Sequence, residues 1–170
     1  MLIRRATSAD ENAIWALLEP VFAAGQTYAV PRDITRDAAL DLWCTAPAAT
    51  FVAEQDGAVL GTFYIKTNAQ GGGAHVCNCG YVTDAQAQGR GIARAMCIQS
   101  QVEAAALGYK AMQFNLVLSS NTGAVALWHK LGFETIGVLP RAFDHPQLGY
   151  VHAHVMYKEL GDAVTGTSSE

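Results

Sequence analysis

Charge is scarce in this chain, and basic charge scarcer still. Only 15% of its 170 residues are Asp, Glu, Lys or Arg, and eleven Lys and Arg against fifteen Asp and Glu leave a formal net charge of −4. An acidic balance disfavours broad, sequence-independent nucleic-acid binding, although it leaves room for a local basic patch. Long apolar runs are missing as well: no stretch approaches the ~20 residues that a helix needs to span a bilayer. The opening Met1-Leu2-Ile3-Arg4-Arg5-Ala6-Thr7-Ser8 has no apolar region after its arginines, so neither a leader nor a membrane partner is expected and the cytoplasm follows by default. The four cysteines, Cys44, Cys77, Cys79 and Cys97, show no metal-like C-x-x-C spacing and no disulfide framework, so no metal is expected. Cys77 and Cys79 alternate on one strand and read as small buried hydrophobes on one face.

What the chain does have is hydrophobic content, 51%, in patterns that alternate between strand and helix. Residues 1–160 read as one domain, and Gly161 to Glu170, without hydrophobic pattern, as a tail. Leu2 to Ala6 reads as a strand, and Ser8 or Asp10 as the cap of a helix burying Ile14, Trp15, Leu17 and Leu18, which Pro20 bends or ends early. After a loop over residues 25–34, Thr35 caps a second helix through Leu40, Leu42 and Trp43. Thr50 to Glu54 and Ala58 to Lys66 form a hairpin over Asp56-Gly57, a pair that tight type I′ turns favour. A flexible Asn68–Gly73 connection leads to a strand over 74–82, a helix over 89–107, a strand over 111–118, a helix over 121–131 and a strand over 133–139. Residues 150–158 close the series, with Val151, Ala153 and Val155 alternating against His152 and His154.

Chemistry concentrates where the strand near 74–82 turns into the next helix. The turn reads Val82-Thr83-Asp84-Ala85-Gln86-Ala87-Gln88-Gly89-Arg90-Gly91-Ile92-Ala93-Arg94. A helix start leaves backbone N–H groups unpaired and carries partial positive charge, so it suits a phosphate, and glycines let the backbone come close. The turn lacks the Gly-Lys-Ser/Thr ending of a nucleotide P-loop and the third small residue of the dinucleotide fingerprint. It resembles instead the pyrophosphate-binding motif Q/R-x-x-G-x-G/A of the GNAT superfamily of N-acetyltransferases, in two registers, Gln86-x-x-Gly89-x-Gly91 and Gln88-x-x-Gly91-x-Ala93. A second stretch, Asn121-Thr122-Gly123-Ala124-Val125-Ala126-Leu127-Trp128-His129-Lys130-Leu131-Gly132-Phe133, resembles that family's N-x-x-A-x-x-L-Y-x-K-x-G-F helix. Trp128 departs from the pattern, standing where many members have tyrosine.

The resemblance implies an α+β fold: a mixed, mainly antiparallel sheet with helices on both faces, its strands near 74–82 and 111–117 separating at one end to admit acetyl-CoA. Tyr81, Val82 and Thr83 would meet the pantetheine arm largely through main chain, as an added strand does. The segment Gln88, Gly89, Arg90, Gly91, Ile92, Ala93 and Arg94 would hold the pyrophosphate, with Arg90, Arg94 and Lys130 as candidate phosphate cover or ordinary solvated charges. Asn121 would bond the pantetheine arm, Ala124 would leave room for it, and Trp128 would stand beside it.

Acetyl transfer requires a neutral amine, whereas a lysine-like alkylammonium has a pKa of about 10.4. Family members often place a Glu early on the strand before the phosphate turn to take that proton. His75 lies near that place, as a base or as a histidine bonded to backbone or water. Indole N–H is not a practical acid, so Trp128 cannot inherit the tyrosine's protonation of the leaving thiolate. Water, Tyr28 or Tyr150 are the alternatives. Tyr28, in a loop that borders the acceptor site in related enzymes, is a site candidate or a tyrosine packed beneath that loop. A backbone N–H near Val82 is expected to polarise the thioester, and attack is expected to be direct, since no Cys has an evident activating partner. Leu139-Pro140-Arg141-Ala142-Phe143-Asp144-His145-Pro146 with Gly149-Tyr150-Val151 resembles a bacterial subgroup of small-molecule enzymes, so the expected acceptor is a small-molecule amine. A protein or peptide N-acetyltransferase and a non-catalytic acyl-CoA-binding regulatory module are the alternatives. Family members often pair, so a homodimer is expected without an assigned interface.

Overall fold

A computed structural model describes residues 1–161. The tail expected from Gly161 onward therefore lies, beyond Gly161 itself, outside the described residues. The strands are β1 (Leu2–Arg5), β2 (Ala49–Gln55), β3 (Ala58–Thr67), β4 (Val76–Thr83), β5 (Ala111–Leu118), β6 (Glu134–His145) and β7 (Gly149–Glu159); the helices are α1 (Glu11–Ala24), α2 (Arg36–Leu40), α3 (Ile92–Ala106) and α4 (Thr122–Lys130). The strands form one sheet in the order β1-β2-β3-β4-β5-β7-β6. Every neighbouring pair is antiparallel except β4 and β5. This is the mixed, mainly antiparallel α+β architecture expected.

Each face of the sheet carries its own core. On one side Ile14, Leu18 and Phe22 of α1 and Trp43 pack with Val52, Tyr64 and Val82. On the other, Ile92 and Met96 of α3 and Trp128 of α4 pack with Phe51, Phe63, Cys77, Cys79 and Phe114. The two-residue period of β4 produces this division: Val82 turns to the α1 face, while Cys77 and Cys79 turn to the α3 face. Burying a side chain such as Phe63 or Met96, both fully enclosed, contributes roughly 1.5–3 kcal/mol.

Local chemistry sets most boundaries. Asp56 and Gly57 both adopt positive φ, 53° and 79°, the conformation of the tight turn joining β2 and β3. Thr35 caps α2 by accepting from the Ala38 amide. Thr7 opens a short turn over Ser8–Asp10, its capping box closed by Asp10, and Asp10, one of the two expected caps, stands at the N-cap of α1 without a side-chain bond to the helix. Pro20 does not end α1, which runs on to Ala24 and stops at left-handed Gly25; Ile14, Leu18 and Phe22 on the buried side hold the helix across the missing proline donor. Helix α3 begins at Ile92, three residues later than the glycine pattern suggested, because Gly89 and Gly91 are both left-handed. Strand β6 extends well past Leu139, through Pro140 to His145, as an edge strand where a missing donor is tolerated.

Candidate functional site

β4 and β5 are paired only at Val76↔Ala111 and Cys77↔Met112. Beyond that point they part. Asn78 stands at the fork: its side-chain amide donates to the Gln113 carbonyl at 2.9 Å, in place of a ladder bond, and its Oδ1 accepts from the Tyr64 hydroxyl at 3.3 Å. Gly80 makes room for this arrangement, since a Cβ there would lie 2.6 Å from the Tyr64 ring. The opened strands enclose a cleft of about 1250 Å³ that runs from Lys66 and Asn78 to the turn before α3 and the first turn of α4.

The backbone of Tyr81 faces this gap. Its amide donates to the Tyr28 hydroxyl and its carbonyl accepts from the same hydroxyl, both at 2.8 Å. Because both groups point away from β3, alternation turns those of Val82 toward β3, where Val82 pairs with Thr62. The peptide presented to the cleft is therefore that of Tyr81, adjacent to the Val82 near which the donor was expected. The Tyr81 side chain goes to the other face, where its hydroxyl meets Ser100 at 2.7 Å and its ring packs against Trp128 and Phe114 with centroids 5.1 and 5.9 Å away. A half-buried Tyr28 is held in place by edge contacts with Phe22 and Trp43. Desolvation raises its pKa far above the ordinary tyrosine value, and its proton is committed to the Tyr81 carbonyl. It is a poor acid in this position.

At the other end of the cleft, α3 starts without a side-chain cap. Its first internal bond runs from the Ala95 amide to the Gly91 carbonyl, so the amides of Ile92, Ala93 and Arg94 precede the helical ladder. Added Cβ atoms at Gly89 and Gly91 would meet nothing within 4 Å; these residues supply their left-handed backbone, not a steric gap. On α4, Asn121 caps the helix through Oδ1 to the Ala124 amide at 3.3 Å, which leaves its side-chain NH₂ for a ligand.

Residues 12–133 fit the model of the acetyltransferase (GNAT) family. The chain belongs to the GNAT family. It is 32% identical to the N-acetyltransferase aca1 of Schizosaccharomyces pombe over 82% of this chain and 77% of that protein. It is 41% identical to a GCN5-related N-acetyltransferase from Kribbella flavida, with a TM-score of 0.88 over 94% of this chain and 97% of the other. A phosphinothricin acetyltransferase from Sinorhizobium meliloti, solved in complex with acetyl-CoA, shares the fold at 21% identity, with a TM-score of 0.82 over 99% of this chain and 91% of that one.

Several residues expected at the GNAT site do line the cleft: Tyr28, Tyr81, Val82, Thr83, Gln88, Gly89, Ala93, Asn121, Ala124 and Trp128. Others do not. Ile92 is buried in the core beneath the turn, so it offers a phosphate only its amide. Gly91, the α3 cap, is exposed and outside the lining. Arg90, Arg94 and Lys130 are exposed and outside the lining. His75 is at the wrong end of β4: its carbonyl accepts from Lys110 where β4 and β5 are joined, and its ring nitrogen meets the Gly72 carbonyl at 3.1 Å. Six residues of extended chain put it about 20 Å from Tyr81. The structure thus gives His75 its backbone-bonded role and removes it from the base position. Tyr150, 60% exposed, lies under Arg141, 5.0 Å from the guanidinium, and is also away from the cleft. Among the described residues no group of three His, Cys, Asp or Glu stands together to hold a metal, and no helix is long and apolar enough to cross a membrane.

Asn78 and Tyr64 are among the cleft residues that no sequence pattern had marked. Asn is depleted in strands, so its place in the apolar run Val76-Cys77-Asn78-Cys79 was the available signal.

Proposed function

We propose that this protein transfers an acetyl group from acetyl-CoA to the primary amine of a small molecule by direct attack in a ternary complex. The single observation that carries this reading is the Tyr81 peptide, turned into a cleft that ends on the unpaired amides of α3. Bound acetyl-CoA would supply an activated acetyl group. The amides of Ile92, Ala93 and Arg94 receive its pyrophosphate, and the Asn121 amide bonds the pantetheine arm that Ala124 leaves room for. The Tyr81 N–H takes the thioester carbonyl in place of the Tyr28 hydroxyl and stabilises the negative charge that gathers there as the amine attacks. The carbon–sulfur bond then breaks, coenzyme A leaves, and the amine's proton passes to water in the open cleft.

A covalent cysteine route has little support. Cys79 is the cysteine in the cleft, and burial and the neighbouring Cys77 raise its pKa well above the ordinary thiol value. Cys97 is pushed up to about 11 by burial. Neither supplies a thiolate at neutral pH. Loss of the family's tyrosine at Trp128 is compatible with turnover, because a thiolate leaving into an open cleft is protonated by water.

The test is acetyl-CoA-dependent thiol release over amino acids, polyamines, aminoglycosides and short peptides, with mass detection of product. Acetylation confined to small amines is expected. Turnover of peptides alone would move the assignment to a peptide acetyltransferase, and tight acetyl-CoA binding without any product would move it to a non-catalytic acyl-CoA-binding module.

A further inference from the structure

A second recess, of about 560 Å³, adjoins the cleft. It lies between the loop after α1 and the turn joining β6 to β7, and shares Tyr28, Ala29 and Val30 with the cleft as a common wall. An occupant of this recess is separated from the Tyr81 peptide by one side chain, that of Tyr28. Its volume falls within the roughly 300–1,000 Å³ of small-molecule sites.

Arg32 stands on this recess in a fixed pose. Its Nε donates to the Ala23 carbonyl at 2.7 Å, near the α1 C-terminus. Its aliphatic stem crosses Gly25 so closely that a Cβ there would lie 2.7 Å from Cδ. Gly25, at φ +64°, thus ends the helix and seats the arginine. No carboxylate among the described residues forms an ion pair with Arg32, so the two terminal nitrogens are left to a ligand. The opposite wall carries Asp144 and His145. His145 accepts the Gln147 and Leu148 amides at Nδ1, at 3.2 and 3.3 Å, which places its own proton on Nε2. A guanidinium with its paired N–H edge unused suits a carboxylate.

Resting on the acetyltransferase reading above, we propose that this recess is the acceptor site and that its substrate class is the free amino acid. Arg32 binds the carboxylate, and the amine is directed past Tyr28 toward the thioester. Arg32 is then the residue that separates amino acids from simple amines.

The experiment compares L-leucine and L-phenylalanine with isoamylamine and phenethylamine, their decarboxylated counterparts, as acceptors for the full chain. The wild type is expected to favour the amino acids in kcat/KM by about tenfold or more, the effect of one charge-assisted contact. Arg32→Gln should raise the KM for amino acids by about tenfold, change kcat much less, leave the acetyl-CoA KM in place and erase the preference. Arg32→Lys should restore part of it. The inference is overturned if the amines are the better substrates, or if Arg32→Gln impairs amino acids and amines alike. Efficient turnover of amines with Arg32 irrelevant would overturn it while sparing the acetyltransferase reading; calorimetric acetyl-CoA binding with no product from either class would overturn both.

Discussion

Replacing Tyr28 with Phe removes one oxygen and little else. The ring keeps its edge contacts with Phe22 and Trp43, at 5.6 and 5.7 Å, so packing is conserved. Two 2.8 Å hydrogen bonds to the Tyr81 peptide disappear. At a net ~0.5–1.5 kcal/mol each, the ligand-free protein should lose about 1–3 kcal/mol, with the lower end favoured because the gap admits water. For a chain of this size each 1 kcal/mol corresponds to roughly 2–4 °C in Tm. The consequence for binding has the opposite sign. The wild type must break the Tyr28 contacts before the Tyr81 amide can take the thioester carbonyl, whereas the variant offers that amide at once. Tyr28→Phe should therefore lower Tm without ligand yet bind acetyl-CoA up to about tenfold more tightly, a factor equal to about 1.4 kcal/mol. Calorimetry and thermal melts with and without acetyl-CoA read both quantities. An unchanged or weaker affinity would refute the exchange at Tyr81 and mean that Tyr28 stays on that peptide in the complex.

Three further outcomes are expected. Gly91→Val forces a β-branched residue into φ +77° at the α3 cap, at a cost of about 1–3 kcal/mol, and should weaken acetyl-CoA binding tenfold or more by calorimetry; an unchanged Kd would rule out the phosphate turn. His75→Ala should leave kcat and its pH profile as they were, because the ring sits at the closed end of β4, and a tenfold loss would return His75 to the mechanism. Asp10, bonded by Arg4 at 2.8 Å through both carboxylate oxygens and by the Thr7 amide, has its pKa held well below the usual carboxylate range, chiefly by Arg4. A lowered folded-state pKa contributes stability that is complete above the ordinary Asp value of about 3.9 and is lost as pH falls through the folded value. Asp10→Asn should accordingly lower Tm at pH 7 and flatten its decline in acid; parallel wild-type and variant curves from pH 7 to 2 would contradict this.

The hairpin over Asp56-Gly57, the Thr35 cap, the α4 motif helix and the phosphate turn were all legible in the chain because each rests on contacts a few residues apart. A left-handed glycine, a capping oxygen and an i, i+3, i+4 stripe act locally, and a family pattern preserves their spacing. Other features depended on pairs far apart in sequence. Tyr28 meets the Tyr81 peptide across 53 residues, Asn78 meets Gln113 across 35, and Arg32 reaches the recess only because Gly25 and the distant β6–β7 turn enclose it. The direction of a strand's peptide groups is fixed by which neighbour it pairs with, so Tyr81 rather than Val82 faces the gap. No local pattern carries that information. Counting along β4 placed His75 near the expected base, yet only the tertiary structure showed that β4 and β5 join at that end and open at the other. Sequence determined the elements and the glycine-bearing turn before α3; long-range pairing decided which backbone and side-chain groups meet in the cleft.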